Sequence, residues 1–122
     1  MKKHILIVDD SKTIRTLVAF VLKGEGFKVS TAEDGQDAIE KLYNLEAVDL
    51  IVSDVNMPRM DGFSFIKHIR AQEAYKDTPI IVLSTEGQEK DIQLGMSLGA
   101  NLYMVKPAQP EKMVRNIKML LG

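Results

Sequence analysis

Four short apolar runs in this chain end in side chains that can do chemistry. Ile5–Val8 is followed by Asp9-Asp10, Leu50–Ser53 by Asp54, Ile80–Leu83 by Ser84-Thr85, and Leu102–Val105 by Lys106-Pro107. A further run, Lys28–Ala32, ends in Thr31-Ala32 with no comparable group. In a parallel sheet all strand C-termini lie on one edge, where ligands bind, so three carboxylates, a hydroxyl and an amine would meet on one rim. Two carboxylates about 4 Å apart repel by on the order of 4 kcal/mol at an effective dielectric near 20. A raised pKa, the ammonium of Lys106 or a cation must offset that. With oxygen donors the cation is a hard one, and Mg2+ fits best because it takes one or two carboxylates plus waters and a phosphate oxygen. Zinc is disfavoured: there is no cysteine, and His4 and His68 lack ligand spacing and read as surface or strand-start residues. A carboxylate beside Mg2+, a lysine and a hydroxyl is the set that phosphoryl transfer to an aspartate requires.

Taken singly, each group has a plain structural explanation. Asp54 is a turn former, any of Asp9, Asp10 and Ser11 can cap a helix, a strand-ending Ser84 can satisfy backbone, and Lys106 can be a solvated charge in a turn set by Pro107. The functional reading rests on their convergence, because all the plain readings would have to hold together.

The elements that must position these groups are legible as alternating patterns. Ile14, Leu17, Val18, Val21 and Leu22 follow the first run at helical spacing and stop at Gly24 and Gly26. Ala38, Ile39 and Leu42 mark a second helix, Phe63, Ile66 and Ile69 a third, and Ile92, Gly95 and Met96 a fourth that stops near Gly99. Met113, Val114, Ile117, Leu120 and Leu121 stripe the last helix, with Pro110 near its first turn. Met57–Gly62 is a loop. Strands alternating with helices predict parallel βαβ units with right-handed crossovers. Near-continuous apolar strands predict a sheet covered on both faces, hence a three-layer, doubly wound α/β domain. Periodicity leaves the strand order open.

Composition bounds the rest. The chain has 122 residues, 45% hydrophobic and 27% charged, with a formal net charge of −1. That fits one ordinary globular domain over residues 1–122, and nothing in the charge draws it to nucleic acid or an anionic membrane. The absence of cysteine excludes disulfides and suits a reducing cytoplasm. The basic start, Met1-Lys2-Lys3-His4, leads into an apolar run too short for a signal peptide or a membrane span. A single domain with no second, effector domain is expected.

The chain resembles the receiver domains of two-component response regulators over essentially its whole length. The motifs that carry the resemblance are Ile7-Val8-Asp9-Asp10-Ser11, Ser53-Asp54-Val55-Asn56-Met57-Pro58 with Asp61-Gly62, Leu83-Ser84-Thr85, Gly99-Ala100 and Lys106-Pro107. Each is weak alone, and their order and spacing make them specific together. The resemblance implies a flavodoxin-like five-stranded sheet in the order 2-1-3-4-5 with five helices. It implies Asp54 as phosphoacceptor, and Mg2+ held by Asp9, Asp10, Asp54 and the backbone carbonyl of Asn56. Ser84 becomes the hydroxyl that moves to the phosphoryl group, Lys106 its cationic partner, and Tyr103 the aromatic switch on the surface of the fourth helix, fifth strand and fifth helix. A cis Lys106-Pro107 bond is implied too. Two departures stand out: Ser84 where threonine is frequent, and Ala108 where a large apolar residue, usually phenylalanine, is common.

Within that family, Asp9–Arg15 and Lys106–Lys112 look most like chemotaxis regulators of the CheY type. The implied partners are a CheA-like histidine kinase, a flagellar motor switch component and a phosphatase, for a cytoplasmic, monomeric, stand-alone regulator that is not an enzyme in the ordinary sense. A relay regulator that hands phosphoryl to a phosphotransfer protein is the alternative. A flavin carrier would need a hydroxyl- or glycine-rich phosphate loop where Asp9-Asp10 stands. An aspartate-nucleophile phosphatase would need a second Asp where Asn56 stands.

Overall fold

The computed structural model describes residues 2–44 and 47–122. In chain order these form β1 (His4–Val8), α1 (Lys12–Gly24), β2 (Lys28–Ala32), α2 (Gly35–Asn44), β3 (Leu50–Ser53), α3 (Gly62–Arg70), a 3-10 turn (Glu73–Tyr75), β4 (Ile80–Ser84), α4 (Glu89–Leu98), β5 (Leu102–Val105) and α5 (Pro110–Leu121). The five strands are all parallel, in the order β2-β1-β3-β4-β5. This is the flavodoxin-like arrangement that the resemblance implied.

Two cores sandwich the sheet, and the alternation of side chains along each strand sorts residues between them. Leu6, Val8, Ile51, Ile80 and Val82 face α2 and α3, where Ala38, Ile39, Leu42, Phe65, Ile66 and Ile69 meet them. Ile5, Ile7, Leu50, Val52, Ile81 and Leu83 face α1 and α5, against Val18, Leu22, Met113, Val114 and Ile117. Central strands β1, β3 and β4 are buried on both faces. Their unbroken apolar runs follow, since full burial of each such side chain contributes about 1.5–3 kcal/mol.

Two members of the expected helical stripes face solvent. Leu17 is 53% exposed because it lies 100° round α1 from Val18, at the margin of a stripe centred on Val18 and Leu22. Met96 is 43% exposed on α4, which buries Gly95. A side chain at Gly95 would start 3.2 Å from the ring of Tyr103, so glycine there makes room for β5 rather than filling a core. His4 does start a strand but is buried, with Nε2 2.8 Å from the hydroxyl of Ser30. The 3-10 turn has no pattern to announce it. It is held by Arg70, which donates to the carbonyls of Tyr75 and Gly99 and so ties α3 to the end of α4.

Candidate functional site

The sheet register places the rim groups. Val8 stands opposite Ala32 and Ser53. The ladder then continues one residue further, with Asp9 N–H donating to the Ala32 carbonyl at 3.1 Å and Asp54 N–H to the Val8 carbonyl at 2.9 Å. The two aspartates are therefore fixed as if still in strands. On the far side, Lys106 N–H donates to the Ser84 carbonyl at 2.7 Å. The Lys106-Pro107 bond is cis.

Asp9, Asp10 and Asp54 each present a carboxylate oxygen such that all three lie within 4.8 Å of one another. Asp9 and Asp54 are buried and Asp10 is exposed. Lys106 Nζ reaches between the buried pair, 2.7 Å from Asp9 Oδ2 and 3.1 Å from Asp54 Oδ2. Burial acts to lower the pKa of this ammonium. Its hydrogen bond to Asp9 and the charges of Asp54 and Asp9 outweigh that, so it is held above the ordinary lysine range. The remaining oxygens of the buried pair are taken by backbone: Asp9 Oδ1 accepts from Ser11 N–H at 2.9 Å, and Asp54 Oδ1 from Val55 N–H at 2.7 Å. Ser11, not an aspartate, caps α1 by accepting from Ile14 N–H.

Three carboxylates against one ammonium leave the cluster with an excess of two negative charges. Its donors are all oxygen and its opening is lined by the exposed Asp10. Charge and donor chemistry therefore fit a hard divalent cation, held by Asp9, Asp10 and Asp54.

Ser84, Asn56 and Tyr103 converge on one residue that the sequence did not single out. Glu86 N–H donates to Ser84 Oγ at 3.1 Å, its carboxylate accepts from Asn56 Nδ2 at 2.6 Å, and its carbonyl accepts from the Tyr103 hydroxyl. Burial pushes the Tyr103 phenol above its ordinary pKa, so it stays a donor at neutral pH. The loop after β4 thus links the rim to the face of α4 and β5. Ala108 packs half-buried at the edge of the α1–α5 core and lines an open groove with Pro107, Lys112 and Asn116. The carbonyl of Asn56 follows Asp54 by two residues in the β3–α3 loop, and its N–H lies 3.4 Å from Asp54 Oδ1.

Gly62, which the sequence marks only as part of a motif, has a steric role, and the pair Asp34–Arg59 carries no sequence signal of its own. A Cβ on Gly62 would stand 2.6 Å from Val55 Cα and closer still to the Asp54 carbonyl oxygen. The start of α3 is therefore pressed against the backbone of the third strand's end. Asp34 accepts from Arg59 Nε at 2.8 Å and Nη2 at 3.0 Å. The available sequence signal for Asp34 was its place before Gly35 and the helical Ala38 and Ile39, a cap position. Its Oδ1 does accept from Asp37 N–H at 2.8 Å.

A doubly wound sheet whose strand ends gather these carboxylates, a hydroxyl and a lysine has close relatives. Residues 5–118 match the response regulator receiver domain. The chain is 40% identical to the alkaline phosphatase synthesis transcriptional regulatory protein PhoP of Bacillus subtilis over 99% of its own length and 49% of PhoP's. It spans about half the length of the transcriptional regulators it matches. It is 35% identical to chemotaxis protein CheY1 of Helicobacter pylori, covering 97% of this chain and 96% of that one. Among solved structures, chemotaxis protein CheY4 of Vibrio cholerae superposes with a TM-score of 0.92 at 41% identity, over 98% of this chain and 99% of that one.

The chain belongs to the response regulator receiver domain family. It is a receiver domain of a two-component system, a signalling module whose family is served by histidine kinases and binds Mg2+ at an acidic pocket.

Proposed function

We propose that this domain accepts a phosphoryl group from a histidine kinase on Asp54, with Mg2+, and transmits the modification by a change of shape. The observation that carries the reading is the setting of the Asp54 carboxylate, with Oδ1 fixed by Val55 N–H, Oδ2 facing Lys106, and an oxygen within 4.8 Å of one from each of the other two acids. Fixing one oxygen orients the other for attack on phosphorus. The phosphorus–nitrogen bond of a phosphohistidine breaks as the phosphorus–oxygen bond to Asp54 forms, and the imidazole leaves with its electron pair. Lys106 neutralises charge on the transferring group, an electrostatic contribution made before the reaction starts. Asp9, Asp10, Asp54 and the Asn56 carbonyl would hold Mg2+, which when bound would further neutralise the phosphoryl oxygens. Attack of water on phosphorus later breaks the bond to Asp54, releasing inorganic phosphate and restoring the carboxylate, so the domain assists its own phosphorylation and dephosphorylation without being an enzyme for another substrate.

Ser84 Oγ accepts from Glu86 N–H and keeps its own O–H free to donate to a phosphoryl oxygen. Movement of Ser84 towards that oxygen pulls the Glu86 loop, which also holds the Tyr103 hydroxyl, so the packing of Tyr103 on Gly95 changes. The result is a shift between two populations with different contacts.

We place the domain in a stand-alone, cytoplasmic, monomeric regulator of chemotaxis acting on a flagellar motor switch component, with a CheA-like kinase upstream and a phosphatase as a further partner. Support comes from the near full-length similarity to chemotaxis proteins of H. pylori and V. cholerae. None of the described helices is long and apolar enough to cross a membrane. Beryllofluoride-activated protein should retain a motor switch protein in a pull-down, and unactivated protein should retain less. Capture by a histidine phosphotransfer domain instead would replace chemotaxis by a relay.

Thermal melts with and without Mg2+ test the shared site. The Lys106–Asp54 attraction at 3.1 Å is about 5 kcal/mol at an effective dielectric near 20. Repulsion of Asp54 from Asp9 and Asp10, at no more than 4.8 Å, is at least about 3.5 kcal/mol each before exposure of Asp10 discounts its share. The terms nearly cancel, and burial of the Asp54 charge decides the sign. Asp54→Asn should raise Tm in chelator by a small amount. Mg2+ at ten times its dissociation constant stabilises wild type by about 1.4 kcal/mol, or roughly 4–8 °C for a domain of this size, and should move Asp54→Asn by less. An Asp54→Asn midpoint below wild type in chelator, with an equal Mg2+ response, would mean that the carboxylates do not share a site.

A further inference from the structure

We infer that Arg59 is a positioning residue for metal binding: through Asp34 it fastens the β3–α3 loop across the end of β1 and so holds the Asn56 carbonyl in place. The inference rests on the proposed metal role of that carbonyl and adds to it a device outside the acidic cluster.

The loop after β3 is held at its start by Asn56, through Glu86 and Asp54, and at its end by the Asp61 cap, and its middle is held by a further attachment. Strand order puts β1 between β3 and β2, so an attachment from this loop to the β2–α2 loop must pass the strand end that carries Asp9 and Asp10. Two contacts make that attachment. Gly35 N–H donates to the Met60 carbonyl at 3.4 Å. Arg59 forms a two-pronged pair with both oxygens of Asp34, the planar fork geometry that lysine cannot reproduce.

Four features mark the pair as more than a surface ion pair. The Asp34 side chain is 3% exposed although that of Arg59 is 52% exposed, so the carboxylate is largely withdrawn from water and depends on its partners. The hydrogen bond from Arg59 is the foremost cause that holds the Asp34 carboxyl below its ordinary pKa. Asp34 is itself rigid, because it accepts from Asp37 N–H at the start of α2 and is therefore part of a helix end. Finally, Arg59 has φ of 61°, a left-handed conformation that costs a non-glycine residue energy. Glycine or asparagine would bear it more easily, so the side chain must repay what the backbone spends. That strained turn lies between the Asn56 carbonyl and Gly62, whose close approach fixes the loop's other end.

The test is Mg2+ titration followed by the amide resonances of Asn56 and Met57, on wild type, Arg59→Asn, Arg59→Lys, Asp34→Asn and the double variant Asp34→Asn/Arg59→Asn. Asparagine at position 59 tolerates the left-handed backbone, and at position 34 it keeps the cap on Asp37, so both substitutions remove the pair with little else. Each Asn variant should weaken Mg2+ binding about tenfold, the scale of lost support around a metal ligand. The double variant should be no weaker than either single, and Arg59→Lys should fall between wild type and Arg59→Asn. Amide exchange of Asn56 in chelator should quicken in step. Unchanged Mg2+ affinity in folded Arg59→Asn, or a double variant weakened by the product of the two singles, would overturn the inference. Should Asp34→Asn fail to fold, the exposed Arg59 variants decide alone. Absence of Mg2+ binding in wild type would instead defeat the proposed function, so the two failures are distinct.

Discussion

After incubation with acetyl phosphate and Mg2+, intact mass should show one added phosphoryl group on wild type and none on Asp54→Asn. The carboxamide is nearly isosteric but is a far poorer nucleophile. No neighbour among the described residues is set to replace it: Asp9 has one oxygen on Lys106 and the other on Ser11 N–H, and Asp10 is exposed with no backbone donor from the described residues to orient it. Ser84 Oγ is buried and engaged with Glu86 N–H. Labelling should therefore fall to background, the largest change any single substitution at the rim can produce. Equal labelling of the two proteins would remove Asp54 from the acceptor role. Labelling that persists at a slow rate and maps to Asp10 by peptide digestion would show that the rim, rather than the strand end alone, selects the acceptor.

Gly62→Ala should be the most damaging small substitution near the site. Gly62 is the first residue of α3, capped by Asp61 through Ser64 N–H at 2.9 Å, and its N–H donates to the Val55 carbonyl at 2.9 Å. An added methyl would overlap the Asp54 carbonyl and stand 2.6 Å from Val55 Cα. Both are backbone atoms of a segment tied to Val8 and packed in the core, so no side-chain rotation relieves the overlap. Overpacking of this kind costs about 3 kcal/mol or more, which lowers Tm by roughly 10–15 °C. The same shift displaces Asp54 and Asn56 together. The residual folded protein should then respond weakly to Mg2+, unlike a variant destabilised at a distance such as Ile117→Val in the α1–α5 core. A Gly62→Ala protein with wild-type Tm and Mg2+ response would mean that α3 can slide without moving the acceptor loop.

Much of this molecule is readable as one-dimensional pattern. Ile5–Val8, Leu50–Ser53 and Ile80–Leu83 announce themselves because central parallel strands are buried on both faces and so tolerate few polar residues. The rim aspartates announce themselves by standing where those runs end. Leu17 and Met96 misled because a helical stripe has margins, and a repeat of 3.6 does not say where they fall. Glu86 stayed hidden because its role depends on partners at Asn56 and Tyr103, 30 and 17 residues away. Arg59 looked like any polar loop residue, since its positive φ leaves no trace in an arginine.

Residue type and spacing alone settle the alternation of strands and helices, the covered sheet and the set of groups that reach one edge. Each is a local property: burial on two faces sets a run's composition, and a strand's end is marked where that run stops. Strand order, the 2.7 Å and 3.1 Å reach of Lys106 to two acids, and the clamp from Arg59 to Asp34 belong to the tertiary structure. They join residues 97, 52 and 25 positions apart. Only the packing of two helical layers on a twisted sheet decides which strand ends become neighbours and how closely their charges meet.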